Sequence, residues 1–154
     1  MYTPLFAEIL NKGADLRFKV TGRSMGPFIK SGETVILRKT PVKSLQCGDI
    51  IYYINSIGTP VLHRITDKKI SLKGEFSFIT KGDALLQKDL PVSQKKILAK
   101  ALYIEKVMPL FGTVTIKLDS NLCKYLYLFY GIYKNLRLKF LNRTMLRKLL
   151  LTSQ

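Results

Sequence analysis

Four side chains in this sequence are of types that could carry chemistry together: one serine in a glycine-rich turn, the single histidine, and two aspartates in a later loop. Ser24 lies in Thr21-Gly22-Arg23-Ser24-Met25-Gly26-Pro27, directly behind a strand-like run. Glycines on both sides and a proline behind it make a tight, exposed turn with accessible backbone N–H groups. A serine becomes a nucleophile only with a base to take its proton and donors to hold the oxyanion. Alone, a serine in such a turn is usually a turn residue. His63 sits in Pro60-Val61-Leu62-His63-Arg64-Ile65-Thr66 and is the candidate base. An unperturbed imidazole titrates near about 6.5, so at neutral pH it can accept a hydroxyl proton and return it to a leaving amine. A carboxylate on the other ring nitrogen would fix the tautomer and steady the imidazolium. Asp83, in Lys81-Gly82-Asp83, and Asp89, just before Leu90-Pro91, are the acids that follow. A Gly-Asp turn is common, and each of these features is weak when taken by itself.

Their order is more specific. Ser24-Met25-Gly26-Pro27 with Gly32 behind it, then Gly48-Asp49-Ile50, His63-Arg64-Ile65 and Lys81-Gly82-Asp83 up to Asp89, resemble the successive boxes of signal peptidase I. The resemblance runs over about residues 18–118. It includes Met108-Pro109-Leu110-Phe111-Gly112-Thr113-Val114, which is similar to the closing strand region of the endoplasmic-reticulum-type enzymes. Common bacterial enzymes of that family use a lysine as base, whereas the matching position here is His63. The sequence therefore resembles the Ser/His branch (endoplasmic-reticulum, archaeal and sporulation-type). The resemblance implies a mainly β, signal-peptidase-like catalytic fold that cleaves leader or signal peptides after small residues, with no metal and no cofactor. It implies Ser24 as nucleophile, His63 as general base and the Ser24 amide as oxyanion donor. Of the two acids that match the family's pattern, Asp89 is the first choice to orient His63 and Asp83 the second. The bland role for Asp83 is to hold its turn.

Two departures from the family bear on the expectation. Many relatives carry a serine two positions before the nucleophile, where this chain has Gly22, so the oxyanion would rest on backbone donors. Relatives also usually begin with a spanning helix, and here the first strand-like run starts at about residue 17. The expectation is a short form without the N-terminal anchor, whose substrate could be a cytoplasmic leader peptide.

The elements that would position these residues are mostly strands. Residues 17–21, 34–38, 49–54, 60–66, 68–72, 76–80, 97–107 and 112–118 are short runs rich in β-branched and aromatic residues, punctuated by glycines. They predict a small antiparallel or mixed β fold. Thr3 and Pro4 predict a short helix over 4–12. Past Asp119 there is no acid, seven Lys/Arg residues occur, and Leu122, Tyr125, Leu126, Phe129, Ile132 and Leu136 recur at helical spacing. The expected organisation is a catalytic domain over 1–119 and a basic amphipathic helical tail over 120–154. That tail either packs on the β domain or lies on an anionic membrane surface without spanning it.

The chain of 154 residues is 47% hydrophobic, enough for a real core and against disorder, and carries a formal charge of +16. Such charge favours an anionic partner, lipid or nucleic acid. The alternative to a peptidase is therefore a non-catalytic basic β domain binding nucleic acid or anionic lipid. Nucleic acid is not expected, because that reading needs cations interleaved with exposed aromatics across one face, and the basic density concentrates in the tail. Cys47 and Cys123 have no metal-ligand spacing; two buried free thiols are expected, with one disulfide as the alternative.

Overall fold

The computed structural model describes residues 3–118, together with residues 129 and 130. The chain divides into two compact units, Met1–Ser120 and Asn121–Gln154. The helical tail expected over 120–154 lies outside the described residues, apart from a helical pair at Phe129 and Tyr130.

Helix α1 spans Thr3–Asn11. It turns Leu10 into the core, with Phe6 and Ile9 packed at the edge. Gly13, at φ 80, closes its end, since an L side chain there would be strained. Eight strands follow: β1 Leu16–Lys19, β2 Thr34–Arg38, β3 Ile50–Ile54, β4 Pro60–Ile70, β5 Phe76–Lys81, β6 Val92–Ser93, β7 Ile97–Met108 and β8 Gly112–Lys117. They form one antiparallel sheet in the order β1-β2-β7-β3-β4-β5-β6, with β8 also on β7. Strand β7 is long enough to serve three neighbours. One edge takes β2, while the other takes β3 along its first part and β8 along its last.

The sheet is strongly coiled. In a flat sheet, β1 and β3 would stand roughly 14 Å apart, three strand spacings. The rings of Phe18 and Tyr52 nevertheless meet with centroids 5.2 Å apart. The apolar run Ile50-Ile51-Tyr52-Tyr53 of β3 is buried on both faces, as a continuous rather than alternating pattern requires. Ile50 and Tyr52 enter one core with Val35, Leu37 and Ile104, and Ile51 and Tyr53 enter a second with Ile65 and Phe78.

The mainly β expectation holds, with local differences. The runs 60–66 and 68–72 are one strand, because no Gly or Pro separates them. A register shift between Ile65 and Asp67 absorbs the irregularity. Strand β6 was not legible, since two residues carry no period. Cys47 is exposed rather than buried, and Cys123 lies outside the described residues. It lies in the turn before β3, where Leu45 and Ile50 take the core positions. Among the described residues, no helix is long and apolar enough to cross a membrane.

Candidate active site

The loop between β1 and β2 carries Ser24, and the residues that follow it explain its conformation. Met25 and Ile29 are both buried in the first core, and the Ile29 N–H donates to the Met25 carbonyl at 3.0 Å. Gly26 N–H similarly donates to the Arg23 carbonyl at 3.2 Å. The turn is thus stitched to the core by its apolar members, leaving Ser24 half-buried at its edge. Gly22 has φ 94, a conformation that disfavours any L side chain. A serine at that position would be strained.

His63 comes from β4 and is only 6% exposed. Its Nδ1 lies 2.6 Å from Asp89 Oδ2. With a carboxylate as partner, Nδ1 carries the proton, and Nε2 of the neutral ring is left as the acceptor. Nε2 faces Gly82 and the Ser24 turn. A methyl group built on Gly82 would lie 3.0 Å from His63 Nε2 and 2.7 Å from the Ser24 carbonyl oxygen. Ser24 and His63 line one cleft of about 240 Å³ together with Gly22, Met25, Val61 and Leu85. A second cavity of similar size opens on the Asp89 side of the imidazole, against Tyr53, Pro91 and Lys96.

Asp89 is held by more than the histidine. Its Oδ2 accepts the Thr80 hydroxyl at 2.7 Å and the Tyr53 hydroxyl at 3.2 Å. Asp89 N–H donates to the Thr80 carbonyl at 2.8 Å. Burial pushes the Tyr53 phenol up to about 12, against the lowering effect of its Thr80 bond and with the Asp89 charge adding to the rise. Tyr53 therefore keeps its proton near neutral pH and donates it as a hydrogen bond to Asp89.

Asp83 stands elsewhere. Its carboxylate is clamped by Arg64, with Nε to Oδ1 at 3.0 Å and Nη2 to Oδ2 at 2.8 Å. Both residues are buried, at 3% and 2% exposure. Arg64 Nη1 also donates to the Gly48 carbonyl at 2.9 Å, and its guanidinium lies 5.8 Å from the centre of the Phe28 ring. The pair therefore ties the 82–84 turn to the start of β3 and to the Ser24 loop. Ala84 N–H completes the clamp, donating to the Ser24 carbonyl at 2.8 Å. Asp49 anchors the same region, accepting from Gln46 N–H at 2.9 Å and lying 3.1 Å from Lys100 Nζ.

The structure thus brings His63 and Asp89 into direct contact, sets Ser24 in the same cleft, and engages Asp83 with Arg64. Sequence reasoning missed Tyr53 and Thr80, because a hydroxyl in a strand has no spacing that marks it. Among the described residues, no cluster of His, Cys, Asp and Glu could hold a metal ion.

In this coiled, mainly β domain the imidazole of His63 stands between a cleft that Ser24 also lines and the carboxylate of Asp89, an arrangement of the kind acyl transfer uses. Comparison with known proteins points the same way. Over 91 residues the chain is 36% identical to signal peptidase I W of Bacillus subtilis (strain 168), a stretch covering 57% of this chain and 46% of that protein. The chain spans about half the length of the curated relative it matches. No family model matches the chain. The similarity supports the signal peptidase I family for this chain and does not select a branch within it.

Proposed function

We propose that this chain is a serine endopeptidase of the Ser/His type that cleaves leader or signal peptides from precursor proteins. The observation that carries the reading is the 2.6 Å contact between His63 Nδ1 and Asp89, on a ring whose other nitrogen faces the Ser24 turn. In this reading His63 Nε2 takes the Ser24 hydroxyl proton as Oγ attacks the scissile carbonyl. Asp89 steadies the imidazolium, with Tyr53 and Thr80 holding the carboxylate in place. The ring then gives the proton to the leaving amine, and a water molecule activated by the same ring releases the acyl group. The oxyanion is held by backbone donors, the Ser24 amide first, since Gly22 offers no hydroxyl. The cycle needs no metal or cofactor.

The test is cleavage of a fluorogenic leader-like peptide by Ser24→Ala and His63→Ala. Each should lose at least about 10³-fold in kcat/KM with circular dichroism unchanged. Near-wild-type turnover in either folded variant would overturn the assignment.

The site of action in this reading is an anionic membrane surface, held through residues 120–154. Flotation with anionic vesicles should weaken when the chain is cut after Asp119. It should also weaken as salt shortens the Debye length below about 8 Å. Binding unchanged by truncation would sink this part of the reading.

A further inference from the structure

The turn that joins β7 to β8 keeps its apolar residues in water. Val107 is 83% exposed, Leu110 89% and Phe111 76%, with Met108 at 42%. With Pro109 they form one unbroken run. Hairpin turns ordinarily draw on Gly, Pro, Asn, Asp and Ser; here Pro109 and Gly112, at φ 68, are of that kind, and the residues between them, Leu110 and Phe111, are large and apolar. The turn is nonetheless well made. Met108 and Gly112 are register partners, and Phe111 N–H donates to the Met108 carbonyl at 3.2 Å. The backbone itself therefore holds these side chains outward. A contiguous apolar run on such a tip marks a surface that is covered in use.

Shape and charge select what covers it. A convex tip of five residues offers no groove, and it falls far short of the roughly 800 Å² per partner of a stable protein interface. A bilayer interface accepts such residues directly and draws in the cations around them. The acids at the base of the hairpin are neutralised, Glu33 by Lys106 at 3.0 Å and Glu105 by Arg17. Lys19 and Lys30 are exposed on β1 and the neighbouring loop, in a chain of net charge +16. Lys106 Nζ also donates to the Phe28 carbonyl at 2.8 Å, which ties the hairpin to the loop that carries Ser24. From Lys106 the tip continues for roughly another 10 Å at strand rise.

We propose that residues 107–111 are a wedge that enters the headgroup–acyl boundary of an anionic bilayer and sets the Ser24 loop against its surface. This goes beyond the peptidase reading and does not depend on it. It places a lipid contact on the β domain itself, separate from residues 120–154.

The chain has no tryptophan, so Phe111→Trp puts a single reporter in the full-length protein. Ile57→Trp is the control, since Ile57 is 82% exposed in the β3–β4 turn, at the opposite end of β7 from the tip. The probes are vesicles of phosphatidylcholine with phosphatidylglycerol, with and without bromine on the acyl chains. Emission from Phe111→Trp should shift to the blue and be quenched by brominated chains, while that from Ile57→Trp should not. Adding Leu110→Asp to Phe111→Trp should remove both effects and weaken partitioning about ten-fold or more, the scale of withdrawing one large apolar side chain. The proposal is overturned if the Phe111→Trp signal stays unmoved, whether or not the protein floats with the vesicles. It is equally overturned if the blue shift grows with protein concentration in the absence of lipid, which would make a second copy the cover. Peptide cleavage is not a readout, so the two readings fail separately.

Discussion

Gly82→Ala is the most demanding test of the site's geometry. The added methyl would stand 2.7 Å from the Ser24 carbonyl oxygen, 3.0 Å from His63 Nε2 and 3.0 Å from Leu85 Cδ1. Ordinary contacts begin near 3.4 Å, so something must yield by about 0.7 Å. The Leu85 methyl can rotate away. The Ser24 carbonyl cannot do so cheaply, because Ala84 N–H holds it at 2.8 Å. Nor can His63, whose Nδ1 is fixed on Asp89. The strain therefore separates the Ser24 turn from the imidazole. A misplacement approaching 1 Å costs up to about 10²-fold in rate, and overpacking costs about 1–3 kcal/mol of stability. The expected result is a folded enzyme with lower Tm, kcat reduced roughly 10- to 100-fold and KM little changed, read on the same peptide substrate. Gly82→Ala with Leu85→Ala should not recover activity, because Leu85 is the yielding neighbour. Wild-type kcat in Gly82→Ala at unchanged Tm would refute the reasoning, and so would rescue by the double variant.

The two aspartates should separate by phenotype. Asp89→Asn removes the carboxylate from His63 and should cost kcat at least about 10²-fold with the fold intact. Asp83→Asn removes the negative charge facing a buried guanidinium, and should lower stability by up to about 3–5 kcal/mol before it touches chemistry. A stable, inactive Asp83→Asn beside an active Asp89→Asn would exchange the roles. Tyr53→Phe tests the support of Asp89, and a few-fold loss in kcat is expected from one missing hydrogen bond. The same variant carries a pH signature. A phenol whose folded value is raised to about 12 favours the folded state below its unfolded value near 10, and that contribution is lost as pH rises between the two. Denaturant midpoints of wild type and Tyr53→Phe should therefore diverge across about pH 10 to 12, with the wild type falling more steeply. Parallel curves would show that the phenol is not held as described.

Much of the candidate site could be proposed from residue order, because its members carry local signatures. Ser24 is marked by the glycines and proline of its turn, and Met25 by an apolar residue beside them, which the fold uses as an anchor. His63 is marked by being the one histidine in a strand-like run. Strand existence followed from short apolar runs between glycines, since period and turn chemistry are local properties. Boundaries did not follow so well: β4 runs through Asp67 by way of a register shift, and the two residues of β6 are a strand through their pairing with β5, with Val92 in the second core.

What the chain order could not decide is which acid meets the histidine, because Asp83 and Asp89 lie in one loop with similar neighbours. Tertiary structure separates them. Alternation along β4 sends His63 and Arg64 to opposite faces, so each finds a different carboxylate. Coiling of the sheet brings β1 against β3 and with it the Ser24 turn to His63, across 39 residues of sequence. Burial on both faces of β3 places Tyr53 beneath Asp89, which no spacing announces. Local composition thus marked the candidate groups, and the long-range curvature of the sheet, set by what its two cores must bury, chose their neighbours.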